Sequence, residues 1–452
     1  MILKTRFIPG LAIYTYLIGD DETGKAAVID CTRDVQPIID LAKNEGLTIT
    51  DICETHVHAD FLSGALELKE ALNGSATIHC SKEGGEEWTP KYADHRVQDG
   101  DEVHLGSVKL RARHTPGHTP EHIVWELYDQ KRSEKDPWVI YTGDYLFVGS
   151  IGRPDLLGEE AQKKLARQLY ETTFSTLNSF PEFAEVYPGH GAGSLCGKAI
   201  GSRDTSTIGY EKKYNESLAK KPEEEWIQDI MDQMPPAPPY FRKMKEINVK
   251  GPKILGGKLP GNRPMPPKGV AEKQSECLIL DCRSKESFAG AHIPGSLSIP
   301  LSNVMSTWAG WLLPYDTPLI LILESESQYR DAATHLIRIG LDDIAGFLDG
   351  GMDAWESSGL PVECFSLMDQ KHLDQALQNT PGTLVDVRSL EEWQEEHKDE
   401  AIHIPLGLLS RNLDTIPKEE PVYTICKGGY RAAVAAGLLQ KEGFKDVTAV
   451  VN

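Results

Sequence analysis

Thr55-His56-Val57-His58-Ala59-Asp60-Phe61 is the stretch on which the reading of this chain turns. It follows the β-rich run Thr48-Ile-Thr-Asp-Ile-Cys53 and stands where the chain leaves that strand. His56 and His58 are two residues apart, so an extended backbone projects both rings to one side. Three more segments share this construction, an apolar run ending beside Gly or Pro. They carry His118 in His114-Thr-Pro-Gly-His118-Thr-Pro, Asp144 in Tyr141-Thr-Gly-Asp144, and His190 in Tyr187-Pro-Gly-His190-Gly. A single histidine of this kind is ordinarily structural, whereas four segments built alike point to a shared site. Two imidazoles and a carboxylate with other positions open form the donor set of non-haem Fe(II) oxygenases, and the same residue types hold Zn.

The chain around this site has 452 residues, which at about 150 per domain suggests about three domains. Its net charge is −21, from 47 Lys and Arg against 68 Asp and Glu, and no basic run offsets it. That excludes nucleic acid and anionic membrane surfaces, both of which need a cationic footprint. No apolar run approaches the ~18 residues of a membrane span. The N-terminal MILKTRFIPGLAIYTYLIGDD imitates a signal peptide loosely, but Pro9 and Gly10 interrupt it and no small-residue cleavage site follows. It is expected to be a hairpin, and the protein to be cytoplasmic. The eight cysteines are scattered with no CxxC pair, so reduced and mostly buried thiols are expected.

Nine of the 28 prolines lie between Pro235 and Pro267, a density that predicts a connector without helix or central strand. Before it, strand-like runs arrive in two groups with helical candidates at 35–45, 66–72 and 158–177, which predicts sheet packed on sheet with helices outside. After it, a unit of about 100 residues occurs twice. Leu278-Ile-Leu-Asp281-Cys-Arg283 recurs as Leu384-Val-Asp386-Val-Arg388, and His292-Ile-Pro294 as His403-Ile-Pro405. Tyr329-Arg330 recurs as Tyr430-Arg431. Short β-rich runs alternate with helical ones in each copy, predicting a parallel sheet covered by helices, and Ser389-Leu-Glu-Glu392 reads as a capping box.

In the second copy the run Pro421-Val-Tyr-Thr-Ile425 leads into Cys426-Lys427-Gly428-Gly429-Tyr430-Arg431 and then into a helix. A cysteine at a helix N-terminus meets unpaired N–H groups and the positive end of the dipole. Lys427 and Arg431 add positive charge, and Gly428 and Gly429 let the backbone curl so that amides point at the sulfur. Such a cradle stabilises a thiolate and equally a persulfide anion. The first copy has Ser325 at the cysteine position, between Glu324 and Glu326. A serine without a base accepts sulfur poorly and the two carboxylates repel an anionic donor, so this copy is expected to be inactive. The second copy stops at Asn452, opposite Asp349, and is expected to lack the final helix of the unit.

Residues 1–244 resemble the metallo-β-lactamase fold, and within it the persulfide dioxygenases, through THVHAD, PGHTP, TGD and Gly152-Arg153-Pro154-Asp155. The resemblance implies an αββα sandwich and one Fe(II) per chain on His56, His118 and Asp144. Phe61 stands where the dinuclear hydrolases of the superfamily carry a histidine, which argues against a full second metal site. That leaves His58, Asp60 and His190 as hydrogen-bonding residues around the ligands. Arg153 with Asp155 either balances charge near the metal or pins a loop. Cys196, in Gly191-Ala-Gly-Ser-Leu-Cys196, is either an inert buried thiol or one that accepts a persulfide sulfur at the pocket. His114 and His122 are expected to be structural.

After a 245–269 linker, residues 270–362 and 366–452 resemble two α/β rhodanese-like domains with parallel sheets. Cys426 and Arg431 are the catalytic residues this implies, with Lys427, Gly428, Gly429 and Tyr430 around the substrate. A Cys-x5-Arg phosphatase loop is the competing reading, and the Asp-x-Arg and His-Ile-Pro context disfavours it. Together the resemblances imply oxidation of low-molecular-weight thiol persulfides by O₂ to sulfite, coupled to sulfur transfer that either feeds persulfide to the iron or joins sulfite to sulfane sulfur as thiosulfate, in sulfide detoxification by a homo-oligomer (dimer or tetramer). Two rivals stay open at this level: a glyoxalase-II-like Zn thioesterase with a rhodanese attached, and a non-catalytic persulfide carrier or sensor.

Overall fold

The computed structural model describes every residue except Leu157, Gln233 and Pro235, and every side chain apart from those and Glu159 and Glu160. Two compact units divide the chain: Met1–Lys258 with Ile337–Gly340, and Leu259–Leu336 with Leu341–Asn452.

Two six-stranded sheets face each other in the first unit. The N-terminal hairpin is present, Ile2–Ile8 pairing antiparallel with Ile13–Gly19. Lys25–Ile29, Thr48–Cys53, Thr77–Ser81 and His95–Val97 follow, parallel to one another. The other sheet runs in the order Ser206–Thr207, Glu185–Pro188, Val139–Gly143, Ile123–Asp129, Val108–His114, Glu102–His104. One core cluster joins Tyr16, Ile18 and Ile29 of the first sheet to Leu110, Trp125 and Tyr141 of the second. The outer face of the first sheet packs on Ile38, Ala42 and Leu68, from helices Gln36–Asn44 and Ala65–Ala71. The outer face of the second packs on Leu169 of Glu159–Phe174 and Trp226 of Glu223–Asp232. The four layers are those the strand grouping predicts. Ile123–Asp129 is buried along its whole length and so lacks the alternation that marks a half-buried strand.

The proline count misplaces one boundary. Helix Phe241–Lys250 lies inside the stretch expected to exclude helix and spans the predicted 244/245 division. Between Pro239 and Pro252 there is no proline, so ten residues are free to wind and bury Phe241, Met244, Lys245 and Asn248. The helix belongs to the first unit, which runs to Lys258. Pro235 itself lies outside the described residues.

The second unit holds two five-stranded parallel sheets of the same strand order. One runs Pro264–Met265, Ile344–Leu348, Leu319–Ile322, Leu278–Asp281, Leu297–Ser298. The other runs Ser366–Asp369, Val447–Val451, Val422–Ile425, Thr383–Asp386, Ile402–His403. Helix Tyr430–Lys441 is buried continuously from Ala432 to Leu439. Its own sheet covers one side and the first copy the other, and a Cβ on Gly437 would stand 2.7 Å from the ring of Phe288. The first copy ends with helix Gly351–Ser357, which buries Trp355. Among the cysteines Cys364 departs from expectation in being exposed; the other seven are buried and all eight are free thiols.

Candidate functional site

His56, His118 and Asp144 come together at the C-terminal ends of strands from both sheets, with ligand atoms within 4.8 Å of one another. His56 Nε2 lies 3.7 Å and His118 Nε2 3.5 Å from Asp144 Oδ2. All three atoms are fully buried and have no hydrogen-bond partner. Three orphaned polar atoms facing one point would each cost free energy unless something fills the gap. A cation fits, since the set offers two imidazole lone pairs and a carboxylate oxygen.

The surrounding residues prepare those lone pairs. His118 Nδ1 donates to the Arg153 carbonyl at 2.9 Å, which places the free lone pair on Nε2. His56 Nδ1 meets Thr55 Oγ1 at 2.9 Å, while the same hydroxyl donates to Asp30 Oδ2 at 2.7 Å. Burial holds the pKa of both rings well below 6.5, so they stay neutral. Asp144 is positioned through its backbone, its N–H donating to His122 Nε2 at 3.1 Å. Gly143, immediately before it, has φ +50°, and a Cβ there would stand 2.7 Å from both His122 Nε2 and Thr55 Oγ1. His122 thus braces a ligand, while His114 bonds the Pro120 carbonyl.

His190 bridges Asp144 Oδ1 at 2.6 Å and Asp60 Oδ2 at 2.8 Å. Burial opposes its protonation, but the two carboxylates outweigh that and raise its pKa to about 10. Both ring nitrogens are thereby engaged by carboxylates, although Asp60, His190 and Cys196 also bring three ligand atoms within 4.8 Å of one another. His58 Nε2 lies 3.2 Å from both Asp30 Oδ1 and Glu54 Oε2. Burial opposes its charge too, and those acids again win. Phe61, fully buried, packs on the His58 ring at 4.3 Å. Asp60 and His190 are bonded to each other, His58 is held by Asp30 and Glu54, and Phe61 offers no lone pair. Phe61→His is accordingly expected to keep metal content at one equivalent per chain by elemental analysis; two equivalents would contradict this account.

Arg153 and Asp155 form a bidentate pair, both contacts 2.7 Å, with Arg153 fully buried and its Nη1 on the Leu195 carbonyl. That is the loop-pinning role, and the loop it pins carries the carbonyl that orients His118. Cys196 is fully buried in a cluster with Asp60 and His190, whose ligand atoms lie within 4.8 Å of one another. Burial, with the charges of Asp60 and Asp144, raises its pKa well above 9 and keeps it a thiol. Asp30 and Glu54 were not legible as site residues, although each ends a strand-like run as an acid, which was the available signal. Asp30 adopts φ +51°, a conformation non-glycine residues rarely occupy, and it spends this strain on Thr55 and His58. Asn248 was hidden by the misplaced boundary; its amide donates to the carbonyls of His58 and Phe61, both at 2.8 Å.

In the second unit Cys426 ends strand Val422–Ile425, and its sulfur accepts from Gly429 N at 3.1 Å and Ala432 N at 3.4 Å. The cradle is real, though its amides are those of Gly429 and Ala432. Gly429 has φ +80°, and a Cβ there would stand 2.8 Å from Val451. Lys427 and Gly428 are exposed at the mouth. Arg431 forks onto Glu392 at 2.5 and 2.7 Å, and Glu392 closes the predicted capping box with Ser389. The Tyr430 hydroxyl donates to Pro300 in the first copy, 3.3 Å away, so it anchors the loop and does not reach the sulfur. A cleft of about 550 Å³ leads to Cys426 past Arg388, Lys398 and Lys427.

The hydrogen bonds from Arg431, aided by its charge, hold the Glu392 pKa at about 2 against an ordinary 4.5. Its stabilising contribution is therefore full above pH 4.5 and is lost as pH falls toward 2. The pair is partly exposed, so about 1 kcal/mol is expected. Acid unfolding of Glu392→Gln should lose that fraction of its pH dependence between 4.5 and 2. In the first copy Glu324 accepts from Ser284 N and Ser287 Oγ, Ser325 bonds Ser327, and Ser287 stands where Glu392 would hold the arginine. Ser325→Cys in a Cys426→Ser background is expected to restore no sulfur transfer in a thiosulfate–cyanide assay.

Residues 8–195 match the metallo-beta-lactamase superfamily, and residues 267–358 and 369–452 each match a rhodanese-like domain. The mitochondrial persulfide dioxygenase ETHE1 of Homo sapiens is 30% identical over 191 residues, covering 42% of this chain and 68% of that protein. This chain belongs to the persulfide dioxygenase family. The Bos taurus protein of that name is 27% identical over 267 residues, 58% of this chain and 87% of its own. A metallo-beta-lactamase crystal structure from Staphylococcus aureus subsp. aureus COL superposes with a TM-score of 0.69 at 36% identity, covering 77% of this chain and 98% of that one. The protein is thus an enzyme of that family joined to two rhodanese-like domains, and its first unit carries a candidate metal centre. No helix among its described residues is long and apolar enough to cross a membrane.

Proposed function

We propose that the fusion oxidises low-molecular-weight thiol persulfides to sulfite at a single Fe(II) held by His56, His118 and Asp144, and that Cys426 transfers sulfane sulfur. The observation that carries this reading is the convergence of three buried, partnerless ligand atoms. The overall reaction is RSSH + O₂ + H₂O → RSH + SO₃²⁻ + 2H⁺. The chemistry a bound Fe(II) supplies is activation of O₂ toward the terminal sulfur. The chain's own part is to keep both imidazoles neutral with Nε2 inward, and to hold Asp144 by His122 and His190 with one oxygen free. His190, protonated between Asp60 and Asp144, offsets the carboxylate charge.

At the second site the Cys426 thiolate attacks the outer sulfur of RSSH, releasing RS⁻ and forming a cysteine persulfide. Sulfite then takes that sulfur as thiosulfate and regenerates the thiolate. The Gly429 and Ala432 amides stabilise the sulfur anion at both stages, and Arg431, locked by Glu392, holds the loop. Residues 270–362 act as an inactive partner that packs helix Tyr430–Lys441. This assigns the protein a place in cytoplasmic clearance of sulfide and persulfide, as a homo-oligomer.

The test is O₂ uptake by anaerobically iron-loaded protein given a thiol persulfide, with sulfite and thiosulfate assayed together. Uptake with either product supports the reading. Absence of uptake at confirmed iron occupancy, or activity with Zn alone on a thioester, would overturn it.

A further inference from the structure

The inference concerns Lys245 and rests on the persulfide reading above. Lys245 is 4% exposed, on helix Phe241–Lys250, and lysine is almost never so buried unless paired. Its ammonium lies 3.4 Å from the Leu156 carbonyl and 5.7 Å from the centre of the Trp88 ring. No carboxylate among the described residues forms an ion pair with it. Burial pushes its pKa down to about 7 against the opposing charges of Glu121 and Asp155, neither of which pairs with it directly.

Lys245 opens into a cleft of about 890 Å³, within the range of small-molecule pockets. Pro120, two residues past His118, and Leu156, just past the Arg153–Asp155 loop, form part of its wall, and the Lys245 charge acts on His118, where it helps lower the ring's pKa. Lys91, Lys164, Arg242 and Lys250 also line it, against Glu86, Glu87 and Glu246. In a chain of net charge −21, a cleft whose described lining carries more cations than acids is a local reversal that favours anions.

We propose that this cleft seats the carrier part of the thiol persulfide, and that Lys245 is a specificity-determining residue that receives an anionic group of the carrier, a carboxylate or a phosphate, at its inner end. The Trp88 face lies under the carrier chain. Arg242 and Lys164, nearer solvent, favour carriers with a second negative group. The persulfide sulfur then points past Pro120 toward His118.

O₂-uptake kinetics on the iron-loaded full chain test this with three persulfides: of glutathione (carboxylates), of coenzyme A (phosphates) and of uncharged 2-mercaptoethanol. Wild type is expected to show kcat/KM at least about 10-fold higher for the better anionic carrier than for the neutral one, and the preferred anionic carrier identifies the group received. Lys245→Met is expected to raise KM for that carrier about 10–100-fold, the scale of a lost charge-assisted hydrogen bond. It should leave kcat and the neutral substrate within about twofold. Should Lys245→Met not fold, Arg242→Ala, on an exposed side chain, is expected to raise the same KM severalfold. Equal KM for neutral and anionic persulfides in wild type, or an unchanged anionic KM in Lys245→Met, would overturn the proposal. If wild type consumes no O₂ with any persulfide, the dioxygenase reading fails by itself. Calorimetry with S-methylglutathione and S-methyl-coenzyme A then decides the cleft: binding lost in Lys245→Met sustains the anion seat, and no binding to wild type ends it.

Discussion

His118→Ala is expected to abolish persulfide-dependent O₂ uptake, by far more than the 10–100-fold that even partners of metal ligands cost. The ring is fully buried, and its Nε2 is one of three orphaned atoms with nothing else to bond. Truncation removes a donor that no neighbour replaces, because His190 is bonded at both nitrogens and His58 is held by Asp30 and Glu54. Metal content should fall in step with activity. A ligand present at 100 times its Kd stabilises the fold by about 2.7 kcal/mol, so iron loading should raise wild-type Tm and leave that of His118→Ala unmoved. Full activity with full occupancy in the variant would dismiss the assigned ligand set. Chelation of wild type should reproduce the loss reversibly.

Cys426→Ser is expected to abolish sulfur transfer, by more than about 10⁴-fold, the scale on which losing a nucleophile registers. A hydroxyl in the Gly429–Ala432 cradle is not ionised near neutral pH and forms no persulfide. With a thiol persulfide and O₂, the variant should still consume O₂ and release sulfite, while thiosulfate disappears. Mass spectrometry of wild type after exposure to thiol persulfide should find the added sulfur on the peptide carrying Cys426. Thiosulfate formed at the wild-type rate by the variant would move the transfer step elsewhere, with Cys196, beside Asp60 and His190, the next candidate.

Asp30 and Cys196 show where reading residues along the chain stops. Asp30 is one acid among many in an acidic chain, and its role depends on a positive φ that aims the carboxylate at Thr55 and His58. Cys196 is six residues from His190, a spacing that does not reveal the buried cluster it forms with Asp60 and His190. Lys245 and Asn248 were assigned to a linker, because proline density is a statement about a window while a helix needs only ten proline-free residues within it.

The sequence by itself determined the architecture and the ligand types. Strand-end histidines beside Gly and Pro, the doubled Asp-x-Arg and His-Ile-Pro unit, and a Cys at the mouth of a helix are local patterns, and local patterns survive in one dimension. Tertiary structure alone decided which atoms are left without partners. Whether His58 and His190 bind metal or carboxylates, whether Arg153 balances charge or pins a loop, and whether Tyr430 reaches sulfur or the neighbouring copy all depend on groups distant in sequence. Burial makes each of those pairings exclusive, since a polar atom cut off from water must take the partner the fold brings to it.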